Sequence, residues 1–287
     1  MRSVSHTSGS ARPAAGRAVS SAVPAPETAS RVGDIRRVES IMGTTVSVAV
    51  RSPLVANEIL DEFFGQLRDV DGRFSTYRDD SEVSRLARGE LAEVDASADL
   101  RYVLAACDHL AMVTGGAFDA RGHRPDGRPD PSGFVKGWAI EEAAWLLDSA
   151  GARNYWINAG GDIVARGEAA PGQPWRVGIR HPDREDRVAA VLAVADRAVA
   201  TSGSYERGDH IRDPRSGAAP VAGLRSMTVV GPALAFTDAY ATALFVMGID
   251  GLRWLSSKPD YDAYAITADG RAVWTQGMDR YLVRDAG

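Results

Sequence analysis

Asp238 and Thr242 are the two residues of this sequence best suited to hold a metal ion. They lie in the stretch 237–243, which follows an extended apolar run at 227–230 and a Gly231-Pro232 break. A helix that begins here has Asp238 in its first turn and Thr242 one turn later on the same face. A carboxylate and a hydroxyl that meet at one point suit Mg²⁺, which binds hard oxygen ligands. The alternative is structural, because Asp is a preferred N-cap residue and Thr242 can simply pack.

Other features could bind a phosphate or a planar ring. A Gly160-Gly161 pair follows a predicted strand, where exposed backbone N–H groups can meet a phosphate. Lys136 lies in the segment 130–137, which enters a helix, and helix N-termini favour anions. Tyr77 and Phe118 could stack on a planar ligand. Each also has an ordinary structural explanation, as a turn, a solvated lysine or an aromatic at the edge of the core.

His210 is the candidate general base. It is one of five histidines and lies in a polar segment between Asp209 and Asp213. A positioned imidazole can accept a proton near neutral pH, and the alternative is an ordinary surface histidine in a polar turn. The sequence has no G-x-S-x-G elbow, no H-E-x-x-H, no helix-opening G-x-G-x-x-G and no Walker A lysine. The common hydrolase and nucleotide-binding frameworks are therefore not supported.

Strands and helices that come in separate runs predict an α+β fold. Apolar residues recur at helical spacing from 54 to 70, Ser81 and Ser97 are placed to cap two further helices, and the segment 130–137 opens a helix at 138–147. Extended apolar patterns predict strands at 41–50, 154–158, 175–179, 188–194 and 227–230, and a hairpin of 263–267 and 272–275 joined by Asp269-Gly270.

The composition is that of a globular protein. The chain has 287 residues, of which 45% are hydrophobic and 25% charged, and its net charge is −5. Without a basic block there is no electrostatic case for binding nucleic acid, and no apolar run is long enough for a membrane span. The one cysteine, Cys107, cannot form an internal disulfide.

Residues 1–33 are predicted to be a disordered tail, and residues 34–287 a single folded domain. The tail is rich in Ser, Ala, Pro and Arg, and it has too few large apolar side chains to offset the entropy cost of ordering. It shows neither the apolar segment of a signal peptide nor a cysteine for a lipid anchor, so a cytoplasmic location is expected. An organelle transit peptide is the alternative, because the tail is Arg- and Ser-rich and poor in acidic residues.

Eight short motifs, in chain order, together resemble the ApbE family of FAD:protein FMN transferases. The resemblance spans residues 40 to 278, nearly all of the predicted domain. The motifs are Met42-Gly43-Thr44-Thr45, Ser75-Thr76-Tyr77, Gly116-Ala117-Phe118-Asp119, the segment 130–137, Asn158-Ala159-Gly160-Gly161-Asp162, Thr201-Ser202-Gly203, the segment 210–217 and the segment 237–242.

This resemblance implies a single ApbE-like (T-fold-like) domain of mixed sheets and packed helices, and an enzyme. A Ser or Thr hydroxyl of an acceptor flavoprotein would attack the FMN phosphorus of FAD, with Mg²⁺ on the diphosphate, and AMP would leave. Asp238 would act in catalysis as a metal ligand, with Thr242 and backbone oxygens at Gly133 and Ala241, and His210 would deprotonate the acceptor. The residues implied to line the FAD site are Met42, Tyr77, Ala117, Phe118, Asp119, Asp130, Lys136 and Ile211.

Two further functions remain open at the level of sequence. In a Mg²⁺-dependent FAD pyrophosphatase, water would replace the acceptor hydroxyl at the same site. A non-catalytic flavin-binding protein is the other, and an intact Asp238/Thr242 pair argues against it. The chain departs from the family pattern at Arg212, where an apolar residue is common, and in the strongly basic loop 121–128.

Overall fold

Eleven strands and six α-helices form the part of the chain that this computed structural model describes, which is residues 2–4, 34–52, 55–121, 128–203, 211–218, 220 and 223–284. The strands are β1 (Arg2–Val4), β2 (Asp34–Ile41), β3 (Thr44–Arg51), β4 (Tyr155–Ala159), β5 (Asp162–Arg166), β6 (Trp175–His181), β7 (Arg184–Val194), β8 (Arg197–Gly203), β9 (Leu224–Gly231), β10 (Asp262–Thr267) and β11 (Ala272–Trp274). The helices are α1 (Asn57–Phe74), α2 (Glu82–Ala87), α3 (Ala98–Val113), α4 (Ser132–Ser149), α5 (Leu234–Met247) and α6 (Ile249–Leu255).

Nine of these strands form one antiparallel sheet in the order β1-β11-β10-β9-β8-β5-β4-β3-β2, and β6 and β7 form a separate antiparallel ribbon. Such a sheet does not require helices between its strands, so the helices come in runs between groups of strands. The predicted α+β class is confirmed.

The central strands of the sheet are buried on both faces. On one face, Val229 of β9 and Ala200 of β8 pack against the helices, and α5 lies directly over these two strands. On the other face, Val199 and Val230 pack under the β6–β7 ribbon, where Trp175 is buried. Successive strand residues point to opposite faces, so the apolar runs of these strands supply both cores.

The helix layer is anchored by side chains that cap its helices. Ser81 Oγ accepts a hydrogen bond from Ser84 N at 3.0 Å, and Ser97 Oγ accepts one from Leu100 N at 3.2 Å. Both predicted caps are confirmed. Cys107 lies within α3 and is 1% exposed. No α-helix in the described ranges is long and apolar enough to cross a membrane.

The segment predicted as one strand at 41–50 is part of two strands. Ile41 is the last residue of β2, and residues 44–50 belong to β3. β2 and β3 pair from Ile41 and Thr44, with Met42 and Gly43 as a two-residue turn. Both turn residues have positive φ, 53° at Met42 and 68° at Gly43. Positive φ at both central positions is the type I′ geometry that matches the twist of a hairpin.

The prediction of a disordered tail at 1–33 does not hold for residues 2–4. These residues form β1, which pairs antiparallel with the outer side of β11. The physical reason is that an edge strand offers unpaired N–H and C=O groups, and pairing with them needs no apolar side chains. Residues 5–33 lie outside the described residues.

Candidate functional site

A lysine shared by two carboxylates forms the centre of the candidate site. Lys136, in α4, pairs with Asp162 at the start of β5, and its Nζ lies 3.3 Å from Asp238 Oδ2 in α5. Asp162 is 4% and Asp238 7% exposed, whereas the Lys136 side chain is about a quarter exposed. The three elements therefore bring two buried anions and one partly accessible cation to a single point.

Lys136 keeps its positive charge at this point. Burial by itself would lower the pKa of Lys136, because a low-dielectric surrounding disfavours the charged form. The attraction of Asp162 and Asp238, together with hydrogen bonds to both, outweighs burial and raises the pKa above its ordinary value. Lys136 is thus a fixed cation that an anionic ligand can approach from its exposed side.

Strand β8 fixes the groups around this cation. Thr201 N donates a hydrogen bond to Asp162 Oδ1 at 3.2 Å, which leaves the other carboxylate oxygen for Lys136. The next residue, Ser202, places its Oγ 3.1 Å from Thr242 Oγ1. Two consecutive residues of β8 therefore hold both groups, Thr201 through its backbone amide and Ser202 through its side chain.

Helix α5 begins one turn earlier than the sequence predicts. Its first residue is Leu234 and its N-cap is Ala233, so Asp238 lies in the second turn and not in the first. Glu141 of α4 provides the cap from outside the helix, because its Oε1 lies 2.5 Å from Leu234 N and its Oε2 3.3 Å from Ala235 N. The alternative in which Asp238 is the N-cap is therefore wrong.

The oxygen atoms near Asp238 suit a hard divalent cation. Asp238 and Thr242 are spaced i, i+4 on α5 and provide a carboxylate and a hydroxyl on one face. Gly133 and Ala241 lie within helices, and a helical carbonyl that accepts one bond still has a second lone pair. Among the described residues there is no group of three or more His, Cys, Asp or Glu that could hold a metal. This donor set fits Mg²⁺, which commonly takes one or two protein carboxylates.

The segment that follows α3 and contains Phe118 lies beside the start of α4. Asp130 N donates to Ala120 O at 2.7 Å, which joins the segment after α3 to the segment before α4. A Cβ on Gly133 would lie 3.2 Å from the ring of Phe118, so any larger residue here would require that ring to shift. The first turn of α4 and the Phe118 segment therefore lie in direct contact.

The polar turn at 211–218 is held by its own ion pair. Asp213 accepts two hydrogen bonds of 2.8 Å from the Arg215 guanidinium, and these hold the pKa of Asp213 below its usual value. The aliphatic part of Arg215 lies against Gly116, where a Cβ would be 3.3 Å from Arg215 Cγ. This turn thus packs beside the segment that leads to Phe118.

The comparisons with known proteins agree with this geometry. The ApbE family model matches residues 42–124 and 121–265. The chain belongs to the ApbE family. The FAD:protein FMN transferase of Haemophilus influenzae is 28% identical over 282 residues, which covers 77% of this chain and 82% of the relative.

Solved ApbE structures share the fold. The flavin transferase ApbE from Vibrio cholerae superimposes with a TM-score of 0.77 at 25% identity, over 87% of this chain and 99% of that one. The ApbE protein of Thermotoga maritima gives a TM-score of 0.79 at 22% identity, over 88% of this chain and all (100%) of that one. The single ApbE-like domain expected from the sequence motifs is confirmed.

Several residues that the ApbE motifs assign to the FAD site lie in two neighbouring segments. Ala117 and Phe118 are buried, at 0% and 5% exposure, and their side chains pack in the main core. The carboxylates of Asp119 and Asp130 each accept a bond from a nearby backbone amide, Arg121 N at 2.7 Å and Ser132 N at 3.1 Å. Together with Lys136, these residues surround the first turns of α4.

Other predicted ApbE residues lie in separate loops. Tyr77 is 97% exposed beyond α1, and Met42 lies in the β2–β3 turn. Ile211 is half-buried and packs against the main core. Arg212, the departure from the family pattern, is exposed and donates to Gly217 O at 3.2 Å, so it stays within its own turn. His210 and the loop 122–127 lie outside the described residues.

The sequence motifs assign no individual role to Asp162 or Glu141, two residues of this ApbE site. Asp162 belongs to a motif that was recognised, but its pairing with Lys136 depends on contacts between distant segments. Glu141 follows Lys136 by five residues, and the two amides that it caps lie 93 and 94 residues further on. The one local signal is the missing cap of α5, because Ala233 has no side-chain acceptor and the helix amides require one.

Proposed function

We propose that this ApbE protein is a Mg²⁺-dependent FAD:protein FMN transferase. It transfers FMN from FAD to a Ser or Thr of an acceptor flavoprotein through a phosphoester bond, and it releases AMP. The observation that carries the proposal is the Asp238–Thr242 pair beside the Lys136 cation, in a chain whose fold and motifs are those of the ApbE family.

The metal would be held by oxygens of two helices. Asp238 and Thr242 would supply side-chain ligands, and Gly133 and Ala241 backbone oxygens. When bound, Mg²⁺ supplies charge neutralisation on the diphosphate and on the leaving AMP oxygen. Phosphoryl transfer depends mainly on such positioning and charge stabilisation. The chain therefore contributes rigid placement of these oxygens. Helix α5, packed on β8 and β9, positions those of Asp238, Ala241 and Thr242, and α4 positions that of Gly133.

The FAD diphosphate would bind on the exposed side of Lys136. This cation already has a raised pKa, so it stays charged when a phosphate approaches. Asp162 orients the ammonium group of Lys136 and is itself held by a hydrogen bond from Thr201 N. The remaining contacts to FAD would come from residues along the edge of the site, which are Met42, Tyr77, Ala117, Phe118, Asp119, Asp130 and Ile211.

His210 would remove the proton from the acceptor hydroxyl. The hydroxyl oxygen then forms a bond to the FMN phosphorus, and the bond from that phosphorus to the oxygen of AMP breaks. The released AMP carries the phosphate charge, and the proton remains on His210 until solvent takes it. The 211–218 turn, held by Asp213 and Arg215, ties the end of the segment that carries His210 to Gly116.

The test is incubation with FAD, Mg²⁺ and a flavoprotein domain that carries a Ser/Thr flavinylation motif. Intact mass measurement of the acceptor and chromatography of AMP report the two products. We expect one FMN added per acceptor and AMP in equal amount. Release of AMP without labelling of the acceptor would indicate an FAD pyrophosphatase. Bound FAD with neither product would indicate a flavin-binding protein.

A cytoplasmic location and the absence of nucleic-acid binding also stay predictions. Cell fractionation with an antibody against the chain tests the first. A gel-shift assay with mixed-sequence DNA and RNA tests the second. The net charge of −5 disfavours binding to either polymer, because both are polyanions.

A further inference from the structure

Glu141 makes a long-range contact that joins the two helices of the site. Its two carboxylate oxygens accept hydrogen bonds from consecutive amides at the start of α5, Leu234 N at 2.5 Å and Ala235 N at 3.3 Å. The N-cap residue of α5 is Ala233, which offers no side-chain oxygen. A carboxylate at a helix N-terminus is also favoured by the helix dipole. Glu141 is thus the side-chain cap of α5, supplied by α4.

Close backbone packing holds the same two helices together one turn earlier on α4. A Cβ on Gly137 would lie 2.6 Å from Ala235 Cα and 2.8 Å from Ala235 N. Gly133, Gly137 and Glu141 are spaced four apart and therefore share one face of α4. The face that carries the Gly133 oxygen is therefore the face that contacts the start of α5.

The geometry points to Glu141 as a positioning residue for the metal site, an inference that rests on the proposed function. Asp238 follows Ala235 by three residues, about 4.5 Å along the helix axis. A shift of the first turn of α5 relative to α4 is therefore passed on to Asp238 and Thr242. Glu141 fixes that first turn against the helix that carries Lys136 and Gly133. It sets the distance between ligands on α5 and groups on α4, while its own hydrogen bonds go to the amides of Leu234 and Ala235.

Glu141→Gln and Glu142→Gln form a matched pair of variants for the test. Glu142 is the next residue on α4 and is exposed, so the same chemical change there leaves the contact with α5 intact. Gln at 141 keeps the size of the side chain but turns an NH₂ group toward one of the two amides, which then lacks an acceptor. The measurements are the Mg²⁺ concentration for half-maximal FMN transfer, KM for FAD, and the rise in melting temperature that MgCl₂ causes with FAD present.

We expect Glu141→Gln to raise the half-maximal Mg²⁺ concentration by about 10-fold or more, as for residues that orient metal ligands. The Mg²⁺-induced rise in melting temperature should shrink in parallel, since this rise measures binding to the folded chain. KM for FAD should change little. Glu142→Gln should match wild type in every measurement.

A lower melting temperature with an unchanged Mg²⁺ response would overturn the inference, because Glu141 would then be structural only. If Glu141→Gln does not fold, Glu141→Asp keeps the charge but is too short to reach both amides, and it should show a smaller shift in the same direction. A wild-type chain that binds Mg²⁺ with FAD yet transfers no FMN would contradict the proposed function. The thermal measurement would still decide the role of Glu141 in that case.

Discussion

Lys136 Nζ lies 3.3 Å from Asp238 Oδ2 and pairs at the same time with Asp162. One cation is thus shared between a carboxylate assigned to the metal and a carboxylate fixed by the backbone of β8. Asp162 keeps Lys136 paired whatever else Asp238 binds. The Lys136–Asp162 pair is therefore built into the chain and does not depend on ligand.

Asp238→Asn should reduce FMN transfer by more than about 100-fold with little change in melting temperature. Asn lacks the negative charge that holds Mg²⁺, and losses of this size follow even when residues around a metal are removed. Lys136 retains Asp162, so no buried charge is left unpaired. The control is Asp250→Asn, because Asp250 is an exposed acid of α6. Normal transfer by Asp238→Asn at limiting Mg²⁺ would contradict the metal site.

His210→Ala should slow FMN transfer by about 10²–10⁴-fold, the usual contribution of a general base. Its affinity for FAD, measured by flavin fluorescence, should stay close to wild type. His109 is an exposed histidine on α3 and provides the matched His109→Ala control. Equal transfer rates in the two variants would show that His210 is a turn residue without a catalytic role.

Gly137→Ala should destabilise the fold by about 1–3 kcal/mol, the usual cost of overpacking. The added methyl would meet Ala235 Cα at 2.6 Å, and neither backbone can move alone. Gly65, in α1, is the control, because a Cβ there meets nothing within 4 Å. Gly65→Ala should stabilise the fold by about 0.4–1 kcal/mol. Urea unfolding of both variants measures the difference, and equal effects would argue against tight contact of α4 with α5.

Glu141 should make part of the folding stability depend on pH. Burial raises the pKa of Glu141 above its ordinary 4.5, helped by Glu142, while the amides of Leu234 and Ala235 and the charge of Arg166 oppose it. With the folded pKa raised, the contribution of this group is fully present below pH 4.5 and is lost as the pH rises through the folded pKa.

The comparison of wild type with Glu141→Gln isolates this contribution, since Gln does not titrate. The free energy of unfolding of wild type, minus that of the variant, should fall as the pH rises above 4.5 and through the raised folded pKa. Urea unfolding at a series of pH values gives both curves. A difference that stays constant or increases with pH would contradict the raised pKa.

Deletion of residues 1–33 should leave FAD binding intact and lower the melting temperature only slightly. The described contact of this segment is the pairing of three residues, Arg2, Ser3 and Val4, with β11. Such short pairing at a sheet edge contributes little to the stability of the fold, because the same backbone groups can form hydrogen bonds with water when the strand is removed. Differential scanning calorimetry checks this, and a fall of more than about 8 °C, roughly 2–4 kcal/mol for a chain of this size, would show that the segment belongs to the domain.

Local patterns predicted most of the elements but not their mutual contacts. Ser97 and the Asp269-Gly270 turn act within a few residues of themselves, so the sequence predicts the helix cap and the hairpin directly. Motif order in addition placed Asp238, Thr242 and Lys136 in one site. The sequence predicts the start of α5 one turn too late because its cap comes from Glu141 of another helix, and the local sequence shows only that Ala233 cannot provide a cap. The pairing of Asp162 with Lys136 was missed for the same reason.

The buried position of Cys107 has a practical consequence for experiments on this protein. Burial raises the pKa of this thiol to about 12, so it stays protonated and shielded from maleimide reagents in the native state. Cys107 is the one cysteine of the chain. The native sequence can therefore serve as a background for single-site labelling, in which a cysteine placed at any exposed position carries the whole fluorescent signal. A dye introduced this way would follow acceptor docking through quenching by bound flavin, without replacement of Cys107.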